Sequence, residues 1–436
     1  MGDEARLQPG GAIFMNTVIP PRGLAGYAWL LRRNRDMRML WSGQLVSYIG
    51  DWFNSIALLG LMIELTRSNL IGSLIFLCAV LPGAIAGLFI SGVVADKFDR
   101  KKVMIAADLI RALIALSFLL VRSSTTAWIG LVGTAALSFV SSFFQPAAAA
   151  AAPNLTSAEE LPLANALGQS TFASTTVIGS LIGGAAAALF GRDVSFILNS
   201  ASFLLSAFFI SQVAARFNKV AVREQLSRGG ALRALVEGFV YARDHRITLT
   251  YMLAKLPWAF AQGAIGLYAV YSLQIYGMGD VGTSWLYASR GAGGLLGPLL
   301  VSSFIPLNDT PRLARVLRAA LVLAISGHVL LGATGWIGFG MVGLFSAYLG
   351  GACVWVFSTL ILQSTTPDAV RGRVLSLDGV SMSLTMSVAS LFAGLVAVSS
   401  GPQWGVLACA AIATMGGFVW YFVFARKAEA IPRRAA

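Results

Sequence analysis

GVVADKFDRKK, Gly92–Lys102, joins two long apolar stretches and carries four basic and two acidic side chains. An ionised side chain at mid-bilayer costs about 2.5–3.5 kcal/mol on insertion scales, so a charged turn this short cannot rest in hydrocarbon. Two membrane helices must therefore meet here at one water-facing surface. Apolar residues make up 57% of the 436-residue chain and charged residues 12%, against about 25% charged in ordinary soluble domains. Residues 70–95, 123–158, 161–191, 194–215, 319–367 and 379–425 contain no Asp, Glu, Lys or Arg. A membrane helix needs about 20 apolar residues, so the last two blocks hold two spans each.

The pattern predicts twelve spans, at 39–64, 70–94, 103–121, 127–150, 163–189, 194–214, 248–274, 281–305, 314–333, 337–365, 375–398 and 402–424. Barrel strands are shorter and alternate in polarity, so the spans are helices. The expected fold is an all-α membrane protein with twelve transmembrane helices in two six-helix halves. Residues 1–38 form a cytoplasmic tail with a short amphipathic stretch and no cleavable signal, 39–214 the first half, and 215–247 a cytoplasmic linker. Residues 248–425 form the second half and 426–436 a cytoplasmic tail. In the linker, Leu232, Leu235, Val236, Phe239 and Val240 recur at helical spacing, which predicts a helix along the membrane surface, acting as a tether or in regulation.

The net charge of +13 invites a nucleic-acid reading. The distribution rejects it. All but six of the 32 Lys and Arg residues fall in segments that lie on one side when the N-terminus is inside. Arg67, Arg122 and Arg192 lie in the opposite turns, and Arg111, Lys255 and Arg290 lie within spans. This bias places both termini in the cytoplasm and implies contact with anionic lipid rather than nucleic acid. Cys78, Cys353 and Cys409 all fall in apolar spans and read as packing residues.

The opening segment resembles the loop between helices 2 and 3 of the major facilitator superfamily, G-x-x-x-D-[RK]-x-G-[RK]-[RK]. Gly92, Asp96, Lys97, Arg100 and Lys101 match, and Asp99 stands where a second Gly is usual. Leu40–Phe53, Asp96–Leu113, Phe143–Leu155 and Thr366–Leu377 are similar to the branch of enterobactin exporters, macrolide efflux pumps and transmembrane secretion effectors. The resemblance implies a secondary transporter of the bacterial cytoplasmic membrane, with a substrate site between the halves. It also implies a latch in which Asp96 faces the start of helix 11, near Arg373–Asp378. Phe143 lies ten residues before Pro153, as Phe357 does before Pro367, a faint repeat between the halves.

Three groups of residues are candidates for function. Asp108 and Arg111 are three apart on one helical face, and form either a structural pair tied to the latch or a direct substrate or proton site. Asp51 sits in the middle of the first span with no Lys or Arg within ten residues, and Gln44, Tyr48, Asp51 and Ser55 form one polar stripe. Such a carboxylate faces a cavity and carries protons or substrate, or else makes a structural hydrogen bond. Lys255 either snorkels to the inner face or lines the cavity, and Arg290, deeper, answers an anionic substrate group or Asp51. Gln145, Trp258 and Gln262 are further cavity candidates.

Val177–Gly191 resembles the helix-5 antiporter motif: Gly179, Gly183 and Gly184 match, with Ser180 in place of Pro, and the glycines give a smooth contact between halves. The fourth span lacks the Arg found in many proton-coupled facilitators, which raises Asp51. No motif for nucleotide hydrolysis, metal ligation or nucleophilic catalysis is present, so neither an enzyme nor a primary pump is expected, and no cofactor. The reading is a monomeric proton-coupled exporter of a small amphipathic molecule, a drug or siderophore. The alternatives are an importer or metabolite permease of the same fold, or a non-transporting assembly or sensor protein. Topology is directly testable. Reporters fused near Arg228 and after Arg426 should report cytoplasm and one within Ser123–Ala127 the outside; a cytoplasmic signal from that turn would refute the span count.

Overall fold

The computed structural model describes residues 23–91, 94, 97–157, 159–214, 230–304 and 310–426, and among them the regular structure is helical. A short amphipathic helix α1 (Gly23–Arg33) precedes α2 (Arg35–Thr66). Asn34 caps α2: its side chain accepts from the Met37 N–H and donates to the Leu155 carbonyl at 2.5 Å, fixing the start of the first span to the end of the fourth. There follow α3 (Ile71–Ala86, continued by a π turn to Ser91), α4 (Arg100–Ser117), α5 (Ala127–Leu155), α6 (Leu161–Phe190) and α7 (Arg192–Ser211).

The linker contains α8 (Gly230–Asp244). Its Glu237 pairs with Arg373 at 2.9 Å, and Ala242 packs with Leu362 and Val374, so α8 docks on the second half. Leu232, Val236 and Phe239 stay exposed along its other face, as a helix in the membrane interface requires. Linker residues 215–229, with Arg216, Lys219, Arg223 and Arg228, lie outside the described residues.

The second half comprises a broken segment, α9 (Arg246–Leu253), α10 (Leu256–Ala261) and α11 (Tyr268–Val270), then α12 (Gly279–Phe304), α13 (Thr310–Ala333), α14 (Ile337–Thr365), α15 (Asp368–Ser400) and α16 (Pro402–Val419). Among the described residues ten helices are long and apolar enough to cross a membrane. The other two expected crossings are the broken segment and α12. The expected continuous span 248–274 is thus corrected. Pro257 interrupts it, a six-residue 3-10 stretch Gln262–Leu267 follows, and a π turn covers Tyr271–Ile275. Runs of 3-10 helix beyond 3–4 residues are uncommon and often mark hinges. Here the distortion lets Gly263 lie against the Ala389 backbone of α15 and Gly266 against Ser73 of α3.

Across the halves, α6 packs on α12 and α3 on α15. The ends bearing Arg67, Gly191, Gly277 and Gly401, which the charge bias assigns to the outside, are joined. Among the described residues the hydrogen bonds between halves are Arg192 to Asp280 and Asn69 to Gln274 and to the Ala397 carbonyl, all at this outer end. A Cβ built on Gly72 would lie 2.0 Å from the Gly266 carbonyl oxygen, so only glycine permits this seal. Gly72→Val should therefore hold the outer ends apart. Spin labels at Ser124 and Gly335 should show a longer distance in the variant, and an unchanged distance would show that this contact does not set the closure.

Candidate functional site

The first half presents its polar stripe from α2. Tyr48 and Gln145 of α5 are hydrogen-bonded at 3.2–3.3 Å, and Tyr48 meets Phe172 of α6 edge-on. Gln145 and Ser55 are exposed although both lie well inside their spans. Gln44 and Asp51 are half-buried on the same stripe. The Asp51 backbone carbonyl accepts from Ser55, while its carboxylate has no hydrogen bond or ion pair among the described residues. It lies within electrostatic reach of Arg111 and Asp108.

Asp108 and Arg111 are buried and ion-paired, as their spacing suggests. The Arg111 guanidinium lies between the rings of Phe144 and Phe203, at 4.5 and 4.4 Å from their centroids, and its Nη1 reaches Ser47 Oγ at 3.5 Å. Three helices thus share one cation, which makes the pair part of the packing of the half.

In the second half, Lys255 is fully buried, so it does not snorkel to the inner face. Its Nζ pairs with Asp378 of α15, donates to Thr359 of α14 at 2.9 Å and lies 5.0 Å over the Trp355 ring. The helix break at Ala254–Lys255 turns this ammonium inward. Arg290 of α12 makes no ion pair with Asp51. Its guanidinium stacks on Tyr348 and Tyr287, at 4.8 and 5.7 Å, and its Nε has no partner. Trp258 packs edge-on to Tyr348 and Trp52 to Tyr287, which brings α2 of the first half to this cluster. The Trp258 Nε1 and Gln262 Nε2 are buried without partners.

The charged loop is only partly in view, because Gly92 and Asp96 lie outside the described residues. Asp99 is the N-cap of α4, accepting from the backbone N–H groups of Lys101 and Lys102, which gives a reason for its place where Gly is usual. Arg100 donates to the Ala150 carbonyl at 2.6 Å and Lys101 to the Val213 carbonyl at 2.7 Å, while Lys97 is exposed. These two cations bind late carbonyls of α5 and the segment just after α7, where positive charge is favoured. Of the three motif glycines, Gly179 and Gly183 accommodate Trp52 within the first half, and only Gly184 faces the second, where a Cβ would lie 1.5 Å from Ser284 Oγ.

Sequence reasoning missed the outer cluster. Arg192 spans Glu64 of α2, at 2.6 and 2.7 Å, and Asp280 of α12, at 2.9 and 3.3 Å. The sequence signal was three charges at span ends on the same side. A separate apolar groove of about 600 Å³ between α13 and α16, lined by Val322 and Phe418 among others, faces outward and lies apart from these polar groups.

Residues 26–435 match the family model described as transmembrane secretion effector. The chain is 26% identical over 407 residues to the uncharacterized MFS-type transporter YfiS of Bacillus subtilis (strain 168), covering 89% of this chain and 93% of that protein. It is 26% identical over 367 residues to macrolide efflux protein A of Streptococcus pyogenes, covering 82% and 88%. Among solved structures, the inward-facing, unoccupied form of a bacterial homologue of the human lysosomal transporter Spinster superposes with a TM-score of 0.72 at 13% identity, over 92% of this chain and 99% of that one.

The buried Lys255–Asp378 pair makes a stability prediction. Lys255→Met strands a buried carboxylate, and breaking such a pair costs about 3–5 kcal/mol. Thermal unfolding of the purified protein should show a large fall in Tm for that variant and recovery of most of it in Lys255→Met/Asp378→Leu. An unaltered Tm in the single variant would show that the pair contributes nothing.

Proposed function

Because the chain belongs to the transmembrane secretion effector family of major facilitator transporters, and is an integral membrane protein that transports, we propose that it exports a small amphipathic organic molecule in exchange for protons. The observation that carries this reading is Asp51, a carboxylate without a partner among the described residues, on a polar and partly exposed stripe inside the first span. The relatives named for efflux support the direction.

In this reading the outer end is held shut by Arg192, Glu64 and Asp280 and by the Gly72–Gly266 contact, while the site opens to the cytoplasm. Substrate enters from the cytoplasm and places a hydrogen-bond donor against ionised Asp51 in place of water. The halves then rock: the Arg192 cluster parts, and the inner loop of Asp96, Lys97, Arg100 and Lys101 closes. Release to the outside leaves Asp51 ionised and uncompensated. Enclosing that charge in a dry cavity is costly, so the empty carrier returns only after Asp51 takes a proton from outside. The proton leaves to the cytoplasm, and one substrate has moved outward for a proton moved inward. The transporter works as a monomer in the bacterial cytoplasmic membrane, with both termini in the cytoplasm.

Asp51→Asn keeps the size and hydrogen bonding of the side chain but stays neutral at every pH. In proteoliposomes it should abolish uphill transport driven by a pH gradient while sparing exchange of substrate down its own gradient. Full gradient-driven accumulation by this variant would remove Asp51 from the coupling.

A further inference from the structure

The second half holds a charged group that the exchange cycle leaves unused. Arg290 lies inside the bundle, and among the described residues no carboxylate pairs with it. Its surroundings are aromatic and rich in donors. Tyr348 and Tyr287 carry its guanidinium on their faces, and Tyr287 meets Tyr268 edge-on at 5.7 Å. Tyr268 lies within electrostatic reach of Tyr348 and Arg290, yet its Oη makes no hydrogen bond of normal geometry. The Trp258 Nε1 and the Arg290 Nε are without partners, while the Tyr348 hydroxyl lies beside both the Tyr268 hydroxyl and the Arg290 guanidinium without a bond of normal geometry to either. Tyr268, Trp258 and Tyr348 are 0%, 5% and 6% exposed, so bulk water does not satisfy them.

A buried donor left unsatisfied costs about 1–3 kcal/mol, and several in one place are not retained by packing alone. An indole N–H and a guanidinium only donate, and each phenol has a proton to give. The cluster therefore asks for an acceptor with more than one lone pair and a negative charge. A guanidinium fork matches a carboxylate in shape and charge. Aromatic walls supply apolar contact for the rest of such a molecule. The contact of Trp52 with Tyr287 places the cluster on the border between the halves.

We propose that Arg290, with Tyr268, Tyr348 and Trp258, forms the subsite that takes a carboxylate group of the transported molecule, so that the substrates are aromatic or amphipathic acids rather than simple cations. This inference rests on the reading of the chain as a carrier of a small molecule between its halves. It does not depend on proton coupling at Asp51. The C-terminal half reads the acidic end of the substrate, and the first half, with Asp51, Tyr48 and Gln145, meets its other end.

The test uses full-length purified protein and three probes with one shared ring: 1-naphthylacetate, 1-naphthylacetamide and 1-naphthylmethylamine. Calorimetric titration should show the carboxylate binding about tenfold or more tightly than the amide or the amine, as expected for a charge-assisted pair. Arg290→Gln should erase that preference, and Tyr268→Phe and Tyr348→Phe should each narrow it while leaving the thermal unfolding profile unchanged. This titration is read at Arg290 and its tyrosines, whereas the coupling reading is tested by gradient-driven transport in Asp51→Asn, so a failure of the coupling reading and a failure of this one give different results. The inference is overturned if the carboxylate shows no saturable binding or if the amine binds as tightly. It is equally overturned if the preference survives in Arg290→Gln or in both Tyr→Phe variants.

Discussion

Hydrocarbon offers no water to an ionised group, and that constraint orders the interior of this protein. Charges inside the spans must be paired with each other or must border a wet cavity. Asp108 with Arg111, and Lys255 with Asp378, follow the first course, and each pair stitches several helices of one half together. Asp51 and Arg290 follow neither pairing. One is a carboxylate in the first half, the other a guanidinium in the second, and both stand near the seam between halves. Paired charges tie helices together within each half, and the proposed function is built on the unpaired ones.

The proposed cycle also requires the halves to move against each other. Contacts across the seam include glycine on backbone, at Gly72 on Gly266, and glycine on a small side chain, at Gly184 on Ser284. Such surfaces separate at small cost. The polar bonds across the seam gather at one end, where Arg192 holds Glu64 of its own half and Asp280 of the other. An exposed ion pair is worth about 0–1 kcal/mol, and the proposed cycle asks this cluster to part when the outer end opens. The broken segment from Arg246 to Ile275 holds buried donors without partners at Trp258 and Gln262, and its Gly266 lies at the same seam.

What the sequence made legible was local. Long apolar blocks and the sidedness of Lys and Arg gave the helices and their order, because hydrocarbon length and the inside bias act on contiguous residues. The Asp108–Arg111 pair followed from a spacing of three on one helix. Partners brought together by packing were out of reach: Lys255 and Asp378 are 123 residues apart, and Arg192 and Asp280 are 88 apart. Lys255 read as able to reach the inner face because distance from a span end says nothing of the direction a side chain takes. The broken seventh crossing carried signals in Pro257, Gly263 and Gly266, yet its composition is that of an ordinary span. Asp99, a departure from the loop pattern, is accounted for by its capping of α4.

The claim that one unpaired carboxylate exchanges substrate for protons meets its most direct test in proton movement by the unmodified protein. Proteoliposomes loaded with substrate and a pH-sensitive dye, with no gradient imposed, are diluted into substrate-free medium, and the internal pH is followed. Exchange predicts that the interior acidifies as substrate leaves, and that an Asp51→Asn preparation shows substrate leaving without acidification. Substrate efflux from the unmodified protein at constant internal pH would contradict the account.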